Sequence, residues 1–280
     1  MMNSLIRFRS QAYVVSKELY QLKRFKRPDT RSILFILGCQ RSGTSLMTRI
    51  FHRDWNTKVY FEDSNLSVRA GDEKLRLKPL PLVKELIEQE RFPLIVLKPL
   101  VETQNAPQLL EYFPDSRAIW MYRHYKDVAD SNLRKFGRDN GIRDIRYIAE
   151  NRRDDWRVEN VPERIRKIVL TYFSETMNPY DAAALFWYVR NSLFFELGLD
   201  SHPRVMICQY DELINHPKRT LQKMYAFANR PYAGDHILKM IHSSSLGRGR
   251  QATLSPEIER LCEELWDRMR YISAPAFIPG

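Results

Sequence analysis

Gly38-Cys39-Gln40-Arg41-Ser42-Gly43-Thr44-Ser45 brings together the residue types that hold a phosphate-like group: two glycines, an arginine and three hydroxyls. An apolar run at 33–37 precedes it and Leu46-Met47 follows, so it reads as a strand, a glycine-bracketed turn and a helix start. Amide N–H groups and the helix dipole converge at such a turn and form a cradle for an anion. The Gly38-x4-Gly43 spacing is that of a Walker A loop, but Thr44 stands where the lysine that grips the β- and γ-phosphates belongs. The cation has moved into the loop, to Arg41. An ordinary strand-to-helix turn with a surface arginine would show the same glycine spacing.

Further groups could converge on the same anion. A run at 118–122 ends in Arg123, with Ser131 eight residues on. A dianionic phosphate calls for such a pair, a forked cation and a neutral donor; a lone strand-end arginine could equally be a surface ion pair. Ser243-Ser244-Ser245-Leu246-Gly247-Arg248-Gly249-Arg250 offers glycines that let the backbone approach a phosphate and arginines that neutralise it, though an exposed basic turn looks alike. Tyr210 opens Tyr210-Asp211-Glu212-Leu213, ahead of His216-Pro217. Glu62 follows an apolar run at 58–61, with Asp63 beside it, and Lys98 follows another at 94–97. Glu62 and Lys98 could also be a plain ion pair.

These positions need a scaffold. Strands are expected at 33–37, 58–61, 94–97, 118–122 and 205–208, and helices at 44–51, 82–89, 107–112, 180–197 and 255–271. Short, unalternating apolar strands separated by helices indicate an α/β fold with a parallel sheet covered on both faces. The terminal helix starts at Ser255-Pro256 and shows an apolar face of Ile258, Leu261, Leu265 and Met269. Residues 134–167, crowded with Arg and Asp, read as a solvated helical insertion.

The 280 residues are 44% hydrophobic, enough for a substantial core, which excludes disorder, collagen and a disulfide scaffold. Cys39, Cys208 and Cys262 are too few and too scattered for a zinc site and suit a reducing compartment. Net charge is +11, and residues 1–32 hold eight basic against two acidic side chains. The body is thus only mildly basic, unlike a protein that coats nucleic acid. No transmembrane or secretory run is read. Leu5, Phe8, Ala12, Val15, Leu19, Leu22 and Phe25 recur at helical steps among Lys and Arg. The resulting basic helix either packs on its own domain or contacts an anionic membrane or a partner through residues 4–27.

Residues 38–47 resemble the 5′-phosphosulfate loop of sulfotransferases that use 3′-phosphoadenosine-5′-phosphosulfate (PAPS). The likeness is to the RSGT form of tyrosylprotein sulfotransferases and many bacterial members. The resemblance spans about residues 33 to 250. It implies a P-loop-kinase-like three-layer sandwich with a central, mainly parallel five-stranded sheet and a helical insertion. Residues 1–31 then form the basic helix, 32–280 the sulfotransferase domain, and 134–197 a largely helical acceptor side. It also implies sulfuryl transfer from PAPS to a hydroxyl without a catalytic metal. Arg41, Ser42, Gly43, Thr44 and Ser45 would hold the 5′-phosphosulfate, and Arg123 and Ser131 the 3′-phosphate. Arg248, Gly249 and Arg250 would close over it, and Tyr210 would line the adenine side. The cytosolic branch uses a histidine two residues after a strand-end lysine, but this chain reads Lys98-Pro99-Leu100. The base is therefore expected at Glu62, as in the tyrosylprotein and polysaccharide branches, with Asp63 as fallback. Lys98 would stabilise the leaving oxygen or the acceptor.

Segments 65–81 and 134–167 are expected to wall the acceptor site, and their arginines suit an anionic carbohydrate, lipid or small molecule. The enzyme is expected in the cytoplasm, able to rest on the inner membrane surface, with no nucleic-acid partner. A P-loop kinase with a degenerate Walker loop, or a non-catalytic nucleotide- or membrane-binding module, stands as the alternative.

Overall fold

A computed structural model describes residues 13–23, 30–69 and 75–273. Its strands are β1 (Ser32–Gly38), β2 (Thr57–Tyr60), β3 (Ser67–Arg69), β4 (Leu75–Leu77), β5 (Leu94–Leu97), β6 (Ser116–Tyr122) and β7 (Val205–Gln209). All but β3 and β4 join in one sheet of order β2-β5-β1-β6-β7, and each pair in it is parallel. Strands β3 and β4 form a separate antiparallel pair.

The uninterrupted apolar runs are explained by what lies on each face. Leu34, Ile36, Val96, Ile119 and Met121 pack on one side with Met47 and Phe51 of α2 (Thr44–His52). Phe35, Leu37, Leu97, Trp120 and Tyr122 pack on the other, in the cluster that holds Trp187 and Trp266. Alternate residues of one strand therefore serve different layers, and both layers are apolar. Sheet and two covering layers make the three-layer sandwich.

Before α2 lies α1 (residues 13–23), and after it come α3 (Leu80–Glu88), α4 (Ala106–Tyr112), α5 (Tyr125–Phe136), α6 (Asn140–Ala149) and α7 (Glu163–Tyr172). The chain closes with α8 (Pro179–Glu196), α9 (Tyr210–Asn215), α10 (Pro217–Phe227) and α11 (Pro256–Ser273). Helix α8 is the hub of its layer, touching α5, α6 and α11. It is buried on nearly every side, which accounts for its lack of a polar face.

The strands form where their apolar runs place them, and helices α2, α3, α4, α8 and α11 begin within two residues of expectation. The region 134–167 differs. It is not a solvated insertion: Ile145, Ile148 and Trp156 enter the core, and Arg157 is buried with Asp144 and Asp155. Its guanidinium meets Asp144 at 2.6 Å and Asp155 at 3.1 Å. Charges paired this closely can leave water together, so a charge-rich stretch can still be interior. Of the basic amphipathic segment, residues 13–23 are helical; Leu5, Phe8, Ala12 and Phe25 lie outside the described residues.

Candidate active site

The central strand β1 lies between β5 and β6, and the chain leaves it towards β2 and β5 before crossing to β6. A crevice opens beyond the carboxyl end of a strand in that position. Gly38 makes the exit possible: at φ 125° a Cβ there would lie 2.2 Å from the Met121 carbonyl oxygen. The turn then puts Arg41 at φ 68°, and Gly43 at φ 94° starts α2. A Cβ on Gly43 would fall 2.3 Å from the Tyr210 ring, so the loop and the start of α9 fit only with glycine there.

Cations surround the loop. The Arg41 Nε donates to Ser131 Oγ at 3.0 Å, from β1's loop to α5. The Arg123 guanidinium stacks 4.5 Å from the centre of the Tyr210 ring. It also donates to the Ser245 carbonyl, while Tyr210 and Ser245 share a hydroxyl contact of 2.6 Å. Trp187 of α8 donates to the Arg123 carbonyl at 2.8 Å and so fixes the strand end. Burial, then the charges of Arg123 and Arg134, push the Arg41 pKa down. Cations gathered this closely create a positive potential that an anion would relieve.

With Gly43, Thr44, Ser45, Ser131, Tyr210 and Arg248 they line a cavity of about 390 Å³, and among the described residues no carboxylate lines it. Arg123 Nε and Ser42 Oγ are buried without a hydrogen-bond partner. Charge, size and an unused donor thus fit a nucleotide with phosphate groups at both ends. Ser42 itself is fully buried within the loop and is not on the cavity wall.

The two arginines of the Gly-Arg repeat part company. Arg248 faces the cavity. Arg250 turns to Asp211 at 3.4 Å and Asp127 at 3.9 Å. Gly249 acts through its backbone: its N–H donates to Asp127 at 2.8 Å, and the Gly247 N–H reaches the same carboxylate at 3.2 Å.

A second cavity of about 380 Å³ shares Arg41, Thr44 and Ser45 with the first. Glu62, from the turn after β2, and Lys98, from the end of β5, stand in its wall. Lys98, only 6% exposed, donates to Ser45 Oγ at 2.8 Å and pairs with Glu62 at 3.1 Å. The far wall holds Leu75, Phe136, Asn140, Arg143, Asp144, Trp156 and Arg157, from the two segments expected to face the acceptor.

Several of these residues escaped sequence reasoning. Arg134 and Lys135 line the first cavity three and four residues after Ser131, one helical turn that spacing alone reveals. Trp187 acts through a distant partner and leaves no local signal, and Asp127, four residues from Arg123, holds the Gly247 and Gly249 amides that lie far from it in sequence. Among the described residues no three metal-ligating side chains come together.

The sheet and the loop beyond β1 put the chain among P-loop-kinase-like α/β proteins. More narrowly, a family model described as "Sulfotransferase domain" matches residues 31–259, and the chain belongs to that family. Solved structures share its fold. The sulfotransferase domain from the Synechococcus PCC 7002 olefin synthase has a TM-score of 0.54 and 16% identity over 89% of this chain and 98% of that one. The sulfotransferase domain from the curacin biosynthetic pathway has a TM-score of 0.52 and 16% identity over 86% and 99%. No curated protein sequence matches the chain.

Proposed function

We propose that this sulfotransferase moves the sulfuryl group of PAPS to a hydroxyl of a carbohydrate, lipid or small-molecule acceptor. The observation that carries this reading is the meeting of two cavities at Arg41, Thr44 and Ser45. One is cationic and suited to the nucleotide; the other holds a carboxylate and a lysine. Arg123, Ser131 and Arg248 take the 3′-phosphate, while the loop amides, Arg41, Thr44 and Ser45 take the 5′-phosphosulfate. Tyr210, with its face already on Arg123, borders the nucleotide.

Glu62 accepts the acceptor's hydroxyl proton as the new oxygen–sulfur bond forms. The bond from sulfur to the bridging oxygen breaks, and adenosine 3′,5′-bisphosphate departs. Lys98 and Arg41 stand where negative charge gathers on that oxygen. The acceptor wall combines Phe136 and Trp156 with Asn140 and Arg143, so it offers apolar contact and hydrogen bonds together.

Incubation with labelled PAPS and host extract should place the label on a hydroxyl-bearing product. Calorimetry should show binding of adenosine 3′,5′-bisphosphate and none of ATP with Mg²⁺. The reverse binding pattern would overturn the proposal in favour of a kinase.

A further inference from the structure

Arg41 and the residue before it are tied to the same helix by separate routes. Arg41 Nε donates directly to Ser131 Oγ of α5 at 3.0 Å. Gln40 Nε2 donates to Asp144 Oδ2 of α6 at 3.3 Å. The same carboxylate oxygen accepts from Asn140 Nδ2 at 2.9 Å, and that amide also donates to Asn132 Oδ1 at 3.1 Å. Consecutive residues of the loop, Gln40 and Arg41, thus reach consecutive residues of α5, Asn132 and Ser131. One route is direct, and the other runs through Asp144 and Asn140, both in the wall of the second cavity.

The indirect route is interior. Asn132 and Asp144 are 2% exposed and Asn140 7%. Asp144 Oδ1 accepts from Arg157 Nε at 2.6 Å, and Asn140 Oδ1 from Arg143 Nη2 at 2.8 Å. Helix α6 is itself closely seated: beside Asn140 lies Gly141, where a Cβ would fall 2.7 Å from the Ala183 amide nitrogen of α8. A hydrogen-bonded circuit out of water defines one arrangement, because a group that leaves its place loses a partner that solvent cannot replace. Arg41 needs such a hold. Its backbone stands at φ 68°, in the left-handed region that disfavours a side chain. Relaxation of that angle would re-aim a guanidinium that now stands where the two cavities meet.

We infer that Asp144 and Asn140, in the wall of the acceptor cavity, are positioning residues for Arg41 and act on it through Gln40. The inference rests on the reading that Arg41 holds the 5′ end of the nucleotide. Gln40 fixes the peptide that precedes Arg41, and Ser131 fixes the Arg41 side chain. The acceptor wall and the nucleotide loop are thereby joined, and a change in the first is felt in the second.

The test is a double-mutant cycle on the full chain, read by calorimetry with adenosine 3′,5′-bisphosphate. Gln40→Met keeps the length of the side chain, removes its donor and leaves the Asp144–Arg157 pair in place. It should weaken bisphosphate binding roughly tenfold, as for a hydrogen bond to a charged group. In an Arg41→Gly background the same change should have no further effect, since a positioning residue acts only through the group it places. Adenosine 3′-monophosphate, which lacks the 5′ group, should bind the parent and Gln40→Met alike, and that binding shows the variant to be folded. Asp144→Ala, in which Arg157 keeps Asp155 at 3.1 Å, should show the same dependence on Arg41. If that variant does not fold, the Gln40→Met cycle decides alone. Equal losses in the two backgrounds, or an equal loss for the monophosphate, would mean a general loosening and overturn the proposal. So would parental bisphosphate affinity in Gln40→Met. A parent that binds no bisphosphate overturns the nucleotide reading itself, and this inference with it.

Discussion

Arg41 occupies a left-handed backbone conformation, φ 68°, that disfavours any side chain. The cost is about 1–2 kcal/mol for an L-residue, and glycine would avoid it. The arginine is kept because its side chain bridges to Ser131 and stands where both cavities meet. Arg41→Gly should therefore weaken adenosine 3′,5′-bisphosphate binding roughly 10–100-fold, the value of a charge-assisted hydrogen bond, without lowering the melting temperature. An unchanged calorimetric affinity would remove Arg41 from the site. Glu62→Gln retains an oxygen to accept from Lys98 but cannot take a proton. It should bind the bisphosphate normally and lose roughly 10²–10⁴-fold in turnover. A parental rate in that variant would move the base to Asp63. At this scale the loop and the Arg123–Ser131 pair were legible because their chemistry is compressed into short spacings. The choice between Arg248 and Arg250 was not. Arg248 lines the cavity while Arg250 is drawn to Asp127 and Asp211, and those carboxylates lie far away in sequence.

Among the elements, α5 is the organiser. Its first turn supplies Asp127, fully buried, which accepts from Gly247 and Gly249 and lies 3.5 Å from Arg123. Asp127→Ala leaves two amides and a buried arginine without their carboxylate. It should cost about 3–5 kcal/mol of stability, measured by denaturant unfolding, and weaken bisphosphate binding as the Arg248 loop loosens. Parental stability would show that the loop is held by other means.

The same helix is capped by His124, whose Nδ1 accepts from the Lys126 N–H at 3.2 Å. That role requires a neutral ring. Burial, then Arg250, lower its pKa from 6.5 to about 3. Between those values the unfolded chain binds a proton that the folded chain refuses. The stability contributed is complete above pH 6.5 and is lost progressively as pH falls towards 3. His124→Asn keeps a capping acceptor and should flatten the fall of melting temperature from pH 6.5 to pH 4, compared with the parent. Identical pH profiles would assign the acid sensitivity elsewhere, first to His52, whose pKa burial lowers to about 4. The five sheet strands were legible as apolar runs. Strands β3 and β4 are three residues each, too short to show a period. Helices α9 and α10 were missed because His216-Pro217 divides their buried Leu213, Leu221 and Met224.

For the whole molecule, a ligand at a hundred times its dissociation constant adds about 2.7 kcal/mol to folding stability. In a chain of this size that should appear as a rise of about 5 °C in melting temperature with adenosine 3′,5′-bisphosphate. No rise at saturation would contradict a nucleotide site built into the folded sheet. The sandwich was legible from strand–helix alternation. Burial of the 134–167 region was not, because composition cannot show that Arg157 finds Asp144 and Asp155.

One property of the sheet reaches further than its own stability. All five strands run in one direction, so the molecule has a top and a bottom. The glycine-bracketed loop lies at the carboxyl ends, and the turns that lead into the strands lie at the amino ends. The seven residues of β1 separate the two by roughly 23 Å at about 3.3 Å per residue. Held on a solid support by the amino ends of its strands, the protein would keep both cavities open to solution, and bisphosphate binding should survive immobilisation there but not at the opposite end.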